Sequence, residues 1–163
     1  MRIGAFSGKF YPPHIGHLSV IDKLIDSFDE IWIIISYNPI RNMQIRESTG
    51  FETLAPDIIK GWFEKHYESN PRVKVAIFDE SGYRPYPEDG AHWAEEFRKQ
   101  FPTINAKIAD ESYRDYNAEY FPDYEFVPID RDEVCIHSTM IRNNTIGLLD
   151  KIIPEAREYF SHI

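Results

Sequence analysis

Two histidines, His14 and His17, sit three positions apart near the start of the chain, inside the stretch Gly8 to His17 that reads GKFYPPHIGH. A short apolar run, Ile3 to Phe6, precedes this stretch and an amphipathic one, Leu18 to Phe28, follows it. Imidazoles placed where a strand gives way to a helix can donate hydrogen bonds beside free backbone amides and the positive end of the helix dipole. That arrangement suits phosphate. The same pair could share a metal ion, but no Cys, Asp or Glu lies close enough in sequence to complete a ligand set. Far downstream, Ile136 to Arg142 reads IHSTMIR. Ser138 or Thr139 there could cap a helix, and Arg142 offers a planar charged fork.

The elements that must hold these residues follow from hydrophobic patterning. Arg2 to Ser7 is short, mostly apolar and closed by Gly8, which predicts a buried first strand. Leu18, Ile21, Leu24, Ile25 and Phe28 recur at spacings of three and four and predict a helix with one apolar face. Glu30 to Ser36, EIWIIIS, is a continuous apolar run expected of a central parallel strand. Tyr37 to Thr53 shows no periodicity and reads as a long loop. Pro56 opens a helix that carries Ile58, Ile59, Trp62 and Phe63 and ends near Tyr67, and Val73 to Phe78 is a third strand. After the Gly- and Pro-bearing Asp79 to Gly90, a helix over His92 to Gln100 places Trp93 and Phe97 on one face. Ala106 to Ala109 and Glu125 to Ile129 read as the fourth and fifth strands, with a helix over Tyr113 to Phe121 between them. Polar Asp130 to Asn144 then leads into two amphipathic helical segments, Ile146 to Ile153 and Glu155 to Phe160, separated by Pro154. This alternation predicts an α/β, Rossmann-like parallel sheet of about five strands with helices on both faces. Crossovers should be right-handed and ligands should bind at the carboxyl ends of the strands.

Composition narrows the class further. A chain of 163 residues, 42% hydrophobic and 15% aromatic, suits one domain over residues 1–163 with a sizeable core. A formal net charge of -9 argues against nucleic acid or an anionic membrane as partner, while leaving room for a basic pocket inside an acidic shell. The single cysteine, Cys135, cannot form an internal disulfide, which fits a reducing compartment. The N-terminus runs straight into a strand pattern, and no stretch reaches the roughly 20 apolar residues needed to span a bilayer. The expectation is a cytoplasmic protein.

Four residues, His14, Ile15, Gly16 and His17, spell HIGH, and the pattern resembles the HxGH nucleotidylyltransferase superfamily. Its members join a nucleoside triphosphate to a phosphate-bearing acceptor and release pyrophosphate. IHSTMIR resembles the superfamily's ISxTxIR segment, with His137 standing where the family has its first serine. GKFYPPHIGH, EIWIIIS with Arg41 beyond it, FDESGYRPYPEDGAHW and IHSTMIRNN together resemble the NadR type of nicotinamide mononucleotide adenylyltransferase.

The resemblance implies a nucleotidylyltransferase fold in which ATP and nicotinamide mononucleotide give NAD and pyrophosphate, with Mg2+ brought by the triphosphate. It implies that His17 serves the transferred phosphate and His14 the triphosphate, and that Gly8, Phe10 and Gly16 lie along the nucleotide. Ser138, Thr139 and Arg142 would hold the triphosphate, and Lys9 would contact acceptor or triphosphate phosphate. Trp93 would lie at the acceptor ring, although Trp93 and Phe97 also make a plausible core stripe. Arg41 and Arg46 could reach phosphates, Arg41 being the closer to strand two. Asp110 and Glu111 could order the nucleotide edge or cap the next helix, the cap being the favoured reading. Relatives tend to carry an arginine after the aspartate that matches Asp57, whereas this chain has Ile58, with Lys60 two positions on. Two alternatives stand beside the main expectation: a nucleotidylyltransferase with another phosphorylated acceptor, and an NAD- or ATP-binding module with weakened catalysis. The resemblance also allows a homo-oligomer and leaves open the amidated or deamidated acceptor.

Overall fold

In the computed structural model, residues 1–84, 87–130 and 136–162 are described, so Cys135 and the Pro85 and Tyr86 of FDESGYRPYPEDGAHW lie outside the described residues. Five strands, β1 (Ile3–Gly8), β2 (Glu30–Tyr37), β3 (Val73–Asp79), β4 (Ala106–Asp110) and β5 (Glu125–Ile129), form one sheet in the order β3-β2-β1-β4-β5. Every pairing is parallel. The order reverses beside β1, because β2 and β3 lie on one side of it and β4 and β5 on the other. In open α/β sheets such a reversal leaves a crevice at the strands' carboxyl ends.

β2 is the centre of the core because its apolar run serves both faces of the sheet. Ile31, Ile33 and Ile35 join one hydrophobic cluster and Ile34 the other, all four essentially without solvent exposure. Burying each such side chain stabilises the fold by about 2 kcal/mol. The first cluster takes in Leu18 and Ile21 of α1 (Ile15–Leu24), Phe63 of α3 (Pro56–His66) and Phe160 of α7 (Pro154–Ser161). The second takes in Ala94 and Phe97 of α4 (Gly90–Gln100), together with Phe121, which follows α5 (Arg114–Tyr120). Helices therefore cover both faces, as the alternating pattern predicts. Gly4 is required at mid-strand in β1: a Cβ there would come within 2.9 Å of both Ile108 and Phe28.

Three expectations are corrected. Tyr37 to Thr53 is not a loop but contains α2 (Pro39–Thr49). Only Asn42 and Ile45 of this helix are buried, so no apolar stripe marks it. Its ends nevertheless follow the capping rules: Asn38 accepts the Arg41 amide at 3.1 Å, Pro39 opens the first turn, and Gly50 closes it at φ 75°. The helix expected over Ile146 to Ile153 reduces to a 3-10 turn, Leu149–Lys151, followed by extended backbone in which Ile152 and Ile153 are fully buried. Their apolar character reflects packing against the first motif rather than a helical face. The helix expected from Leu18 to Phe28 starts earlier, at Ile15, and ends in a 3-10 turn, Ile25–Ser27. Among the described residues no helix is long and apolar enough to cross a membrane.

Candidate active site

The turn between β1 and α1 cannot satisfy its own backbone. Pro12 and Pro13 carry no N–H, so the carbonyls around them need donors from elsewhere. The second motif supplies two of these, because Arg142 donates from Nη1 to the Tyr11 carbonyl at 2.7 Å and Ser138 donates its hydroxyl to the Pro12 carbonyl at 3.1 Å. The Ile153 amide donates to the Pro13 carbonyl at 3.2 Å, and Ile152 forms a bridge with His14. The Tyr11 hydroxyl in turn accepts the Leu54 amide at 2.6 Å. Segments far apart in sequence are thereby stitched together through three successive carbonyls.

Phe10 holds the start of the turn at φ 52°, a left-handed conformation that costs a non-glycine residue about 1–2 kcal/mol. Burial of its ring offsets that cost. The ring packs edge-on against Phe63 and His17, with centroids 5.0 and 4.7 Å away. His14 caps α1: the Gly16 amide donates to His14 Nδ1 at 3.1 Å, and the His14 amide donates to His17 Nδ1 at 3.0 Å. Both Nδ1 atoms are acceptors, so in each neutral ring the proton resides on Nε2. The two rings stack with centroids 3.6 Å apart and 22° between planes, which sets two Nε2–H donors side by side.

Cations gather beside this pair. Lys9 donates to Asn42 Oδ1 at 3.1 Å. Burial pushes its ammonium down from the usual lysine range, Glu80 opposes that shift, and Arg41 and Arg142 add to it. Burial likewise lowers Arg142, with Arg41 contributing. The Nε of Arg142 and the hydroxyl of Ser7 are buried without a partner in the protein. An acidic chain thus gathers Lys9, Arg41 and Arg142 on one cavity.

The other half of the site is aromatic. Trp93 lies over Phe78 and is stacked on Phe97, so it belongs to the core stripe. It also lines the cavity, and its indole N–H donates to Glu80 Oε2 at 2.6 Å. Burial raises the Glu80 carboxyl above its usual range, against hydrogen bonds from Trp93 and Ser36 and the charges of Lys9 and Lys107. Lys107, the second residue of β4, points to the same face of the sheet and carries its ammonium 4.0 Å from the Phe97 ring centre, with Phe121 at 4.7 Å and Trp93 at 4.9 Å. Its burial lowers its pKa to about 7, with Glu80 opposing and Arg98 reinforcing the fall.

Many of these residues border one cavity of about 1260 Å³ at the carboxyl ends of the strands. That exceeds the roughly 300–1,000 Å³ of common small-molecule pockets. Gly8, Lys9, Phe10, His14, Gly16, His17, Arg41, Trp93, Ser138, Thr139 and Arg142 all line it. Arg46 does not, and neither do Ile58 and Lys60, the latter pairing with Glu64 on its own helix. The capping expectation for Ser138 or Thr139 is corrected: His137 is the N-cap of α6 (Ser138–Asn143), and Thr139 accepts from Arg142 Nη2 at 3.2 Å. Asp110 caps the 3-10 turn that follows β4, accepting from Ser112, as the favoured reading had it. Glu111 pairs instead with Arg114.

Sequence reasoning missed Asn42, Glu80, Lys107 and Asn117. A lysine in the middle of the apolar segment AKIA was the available signal for Lys107. Glu80 and Asn117 are polar residues in polar segments that only the fold brings to the cavity, and Asn42 meets the site through Lys9.

Comparison with known proteins agrees with this fold. Residues 5–53 match the family described as cytidylyltransferase-like. The trifunctional NAD biosynthesis/regulator protein NadR of Escherichia coli is 27% identical over 168 residues, which is 97% of this chain and 40% of that protein. A crystal structure of NadR in complex with NAD and AMP-PNP superposes with a TM-score of 0.77 at 22% identity, covering 97% of this chain and 46% of that one. A bifunctional NMN adenylyltransferase/ADP ribose pyrophosphatase of Francisella tularensis superposes with a TM-score of 0.73 at 17% identity, covering 99% and 49%. The chain thus spans less than half the length of these relatives.

Proposed function

We propose that this chain, which matches the cytidylyltransferase-like family over residues 5–53 and is similar to NadR, is a nucleotidylyltransferase that transfers the adenylyl group of ATP to nicotinamide mononucleotide, giving NAD and pyrophosphate. An oxygen of the acceptor phosphate forms a bond to the α-phosphorus as the bond to pyrophosphate breaks. Little covalent work falls to the protein in such a transfer; alignment and neutralisation of charge carry the catalysis. The observation that carries the reading is the stacked pair His14 and His17 facing the same cavity as Lys9, Arg41 and Arg142. Two adjacent Nε2–H donors can follow charge as it moves onto the transferred and leaving phosphates. A single well-placed donor of this kind is worth about 3 kcal/mol in a transition state.

Magnesium enters this reading with ATP, where it would neutralise triphosphate charge while keeping several of its own waters. The described residues hold no group of three His, Cys, Asp or Glu side chains that could bind a metal. Trp93, fixed by Glu80, presents an aromatic face on which a cationic pyridinium ring can stack. Purified protein incubated with ATP, magnesium and nicotinamide mononucleotide should release pyrophosphate and form NAD. Product no greater than that of a His17→Ala control would overturn the reading.

A further inference from the structure

Asn117 lies on α5 above the aromatic end of the cavity, with only 4% of its surface exposed. Its Nδ2 donates to the Tyr113 carbonyl at 2.8 Å, which fixes the amide's orientation and leaves Oδ1 buried with no hydrogen-bond partner. A buried acceptor without a donor is costly and uncommon in folded proteins. Lys107 lines the same cavity on the sheet below. Both residues border Phe121: the Lys107 ammonium sits 4.7 Å from its ring centre, and the Asn117 carbonyl accepts its amide at 2.8 Å. The residues lining the cavity therefore include a donor 4.9 Å from the Trp93 ring centre and a side chain whose acceptor lacks a partner.

We propose that Asn117 determines acceptor specificity by reading the substituent on the pyridine ring and selects a carboxamide over a carboxylate, while Lys107 holds the oxygen that both substituents share. The inference rests on the acceptor being a pyridine mononucleotide. A carboxamide presents a carbonyl oxygen that Lys107 can donate to and an N–H that Asn117 Oδ1 can accept. A carboxylate offers two acceptors and no donor, so one of its oxygens would face the Asn117 oxygen. Hydrogen-bonding sites of this kind reject a mismatched analogue far more strongly than apolar pockets reject a change of size.

The test compares nicotinamide and nicotinate mononucleotides with wild type, Asn117→Ala, Asn117→Asp and Lys107→Met, measuring kcat/KM by pyrophosphate release and Kd by calorimetry. Wild type should favour the amide more than tenfold. Asn117→Ala should cut that ratio at least tenfold. Asn117→Asp, which keeps an acceptor there and adds charge repulsion against the acid, should hold or raise it. Lys107→Met should weaken both acceptors, because both offer it an oxygen. A purely structural role for Asn117 would move the two acceptors together and leave the ratio alone. A wild type that favours the acid, or an Asn117→Ala ratio within twofold of wild type, overturns the inference. Absence of turnover with either acceptor overturns the adenylyltransferase reading, while the calorimetric ratio still decides the role of Asn117. Absence of binding by either overturns both.

Discussion

The two ends of the cavity are built differently. The end proposed to hold phosphate is made from two short segments, residues 8–17 and 137–142, joined by hydrogen bonds to backbone carbonyls, with Lys9 inside the first and Arg41 on the same cavity. The end proposed to hold the acceptor ring draws Glu80, Trp93, Lys107 and Asn117 from separate segments and keeps charge inside an aromatic box. At the first end, charge is stabilised by donors with little freedom to reorganise. At the second, polar atoms are kept out of water and are expensive until something fills the space. Chemistry and selectivity should therefore fail independently.

His17→Ala tests that independence most severely. It should lower kcat about 100- to 1,000-fold while leaving the acceptor's Kd within threefold, read by pyrophosphate release and calorimetry. A large loss of acceptor binding would merge the two ends into one.

The next effect is on stability and belongs to the ring end. Lys107 keeps its proton in the folded protein only up to about pH 7, whereas the unfolded chain keeps it to the ordinary lysine range near 10.5. Below pH 7 both states are protonated and the full cost of burying the charge is present. Above it the unfolded state holds the extra proton, so stability rises with pH. Lys107→Met should accordingly be more stable than wild type at pH 6.5, by about 3 kcal/mol, and the gap should close towards pH 9.5. Urea midpoints at the two pH values check this, and a gap that widens with pH would contradict it.

Trp93→Phe keeps a ring on Phe97 but removes the indole N–H that Glu80 accepts. It should raise the acceptor KM about tenfold, the loss of one charge-assisted hydrogen bond, and leave the KM for ATP unchanged. Ile58→Arg should do least. It restores the arginine expected after Asp57, but position 58 does not border the cavity, so steady-state rates should stay within twofold of wild type.

What could be read from the sequence follows the same division. The HIGH stretch is legible because strand, turn and helix are contiguous there and each residue's surroundings are set by its neighbours. Trp93 could be named but not assigned, since a stripe with Phe97 and a wall of the cavity turn out to be the same surface. Lys107 and Asn117 escaped because their burial depends on α4 and α5 closing over β4, which no local pattern records. The misreading of α2 has a related cause. That helix is exposed on most sides, so its caps at Asn38 and Gly50 carried the information and its periodicity did not. Ile152 and Ile153 misled in the opposite direction, because two adjacent apolar residues next to a helix resemble more helix until their partner, the turn at Pro13, is known.

That partnership has a bearing on the order in which the protein is made. By residue 129 a growing chain has supplied all five strands, yet the carbonyls of Tyr11, Pro12 and Pro13 still lack the donors that arrive with Arg142, Ser138 and Ile153. The sheet can assemble on the ribosome while the phosphate turn waits. His14 and His17, translated well before residues 138–153, reach the geometry described above only after that later segment has been made.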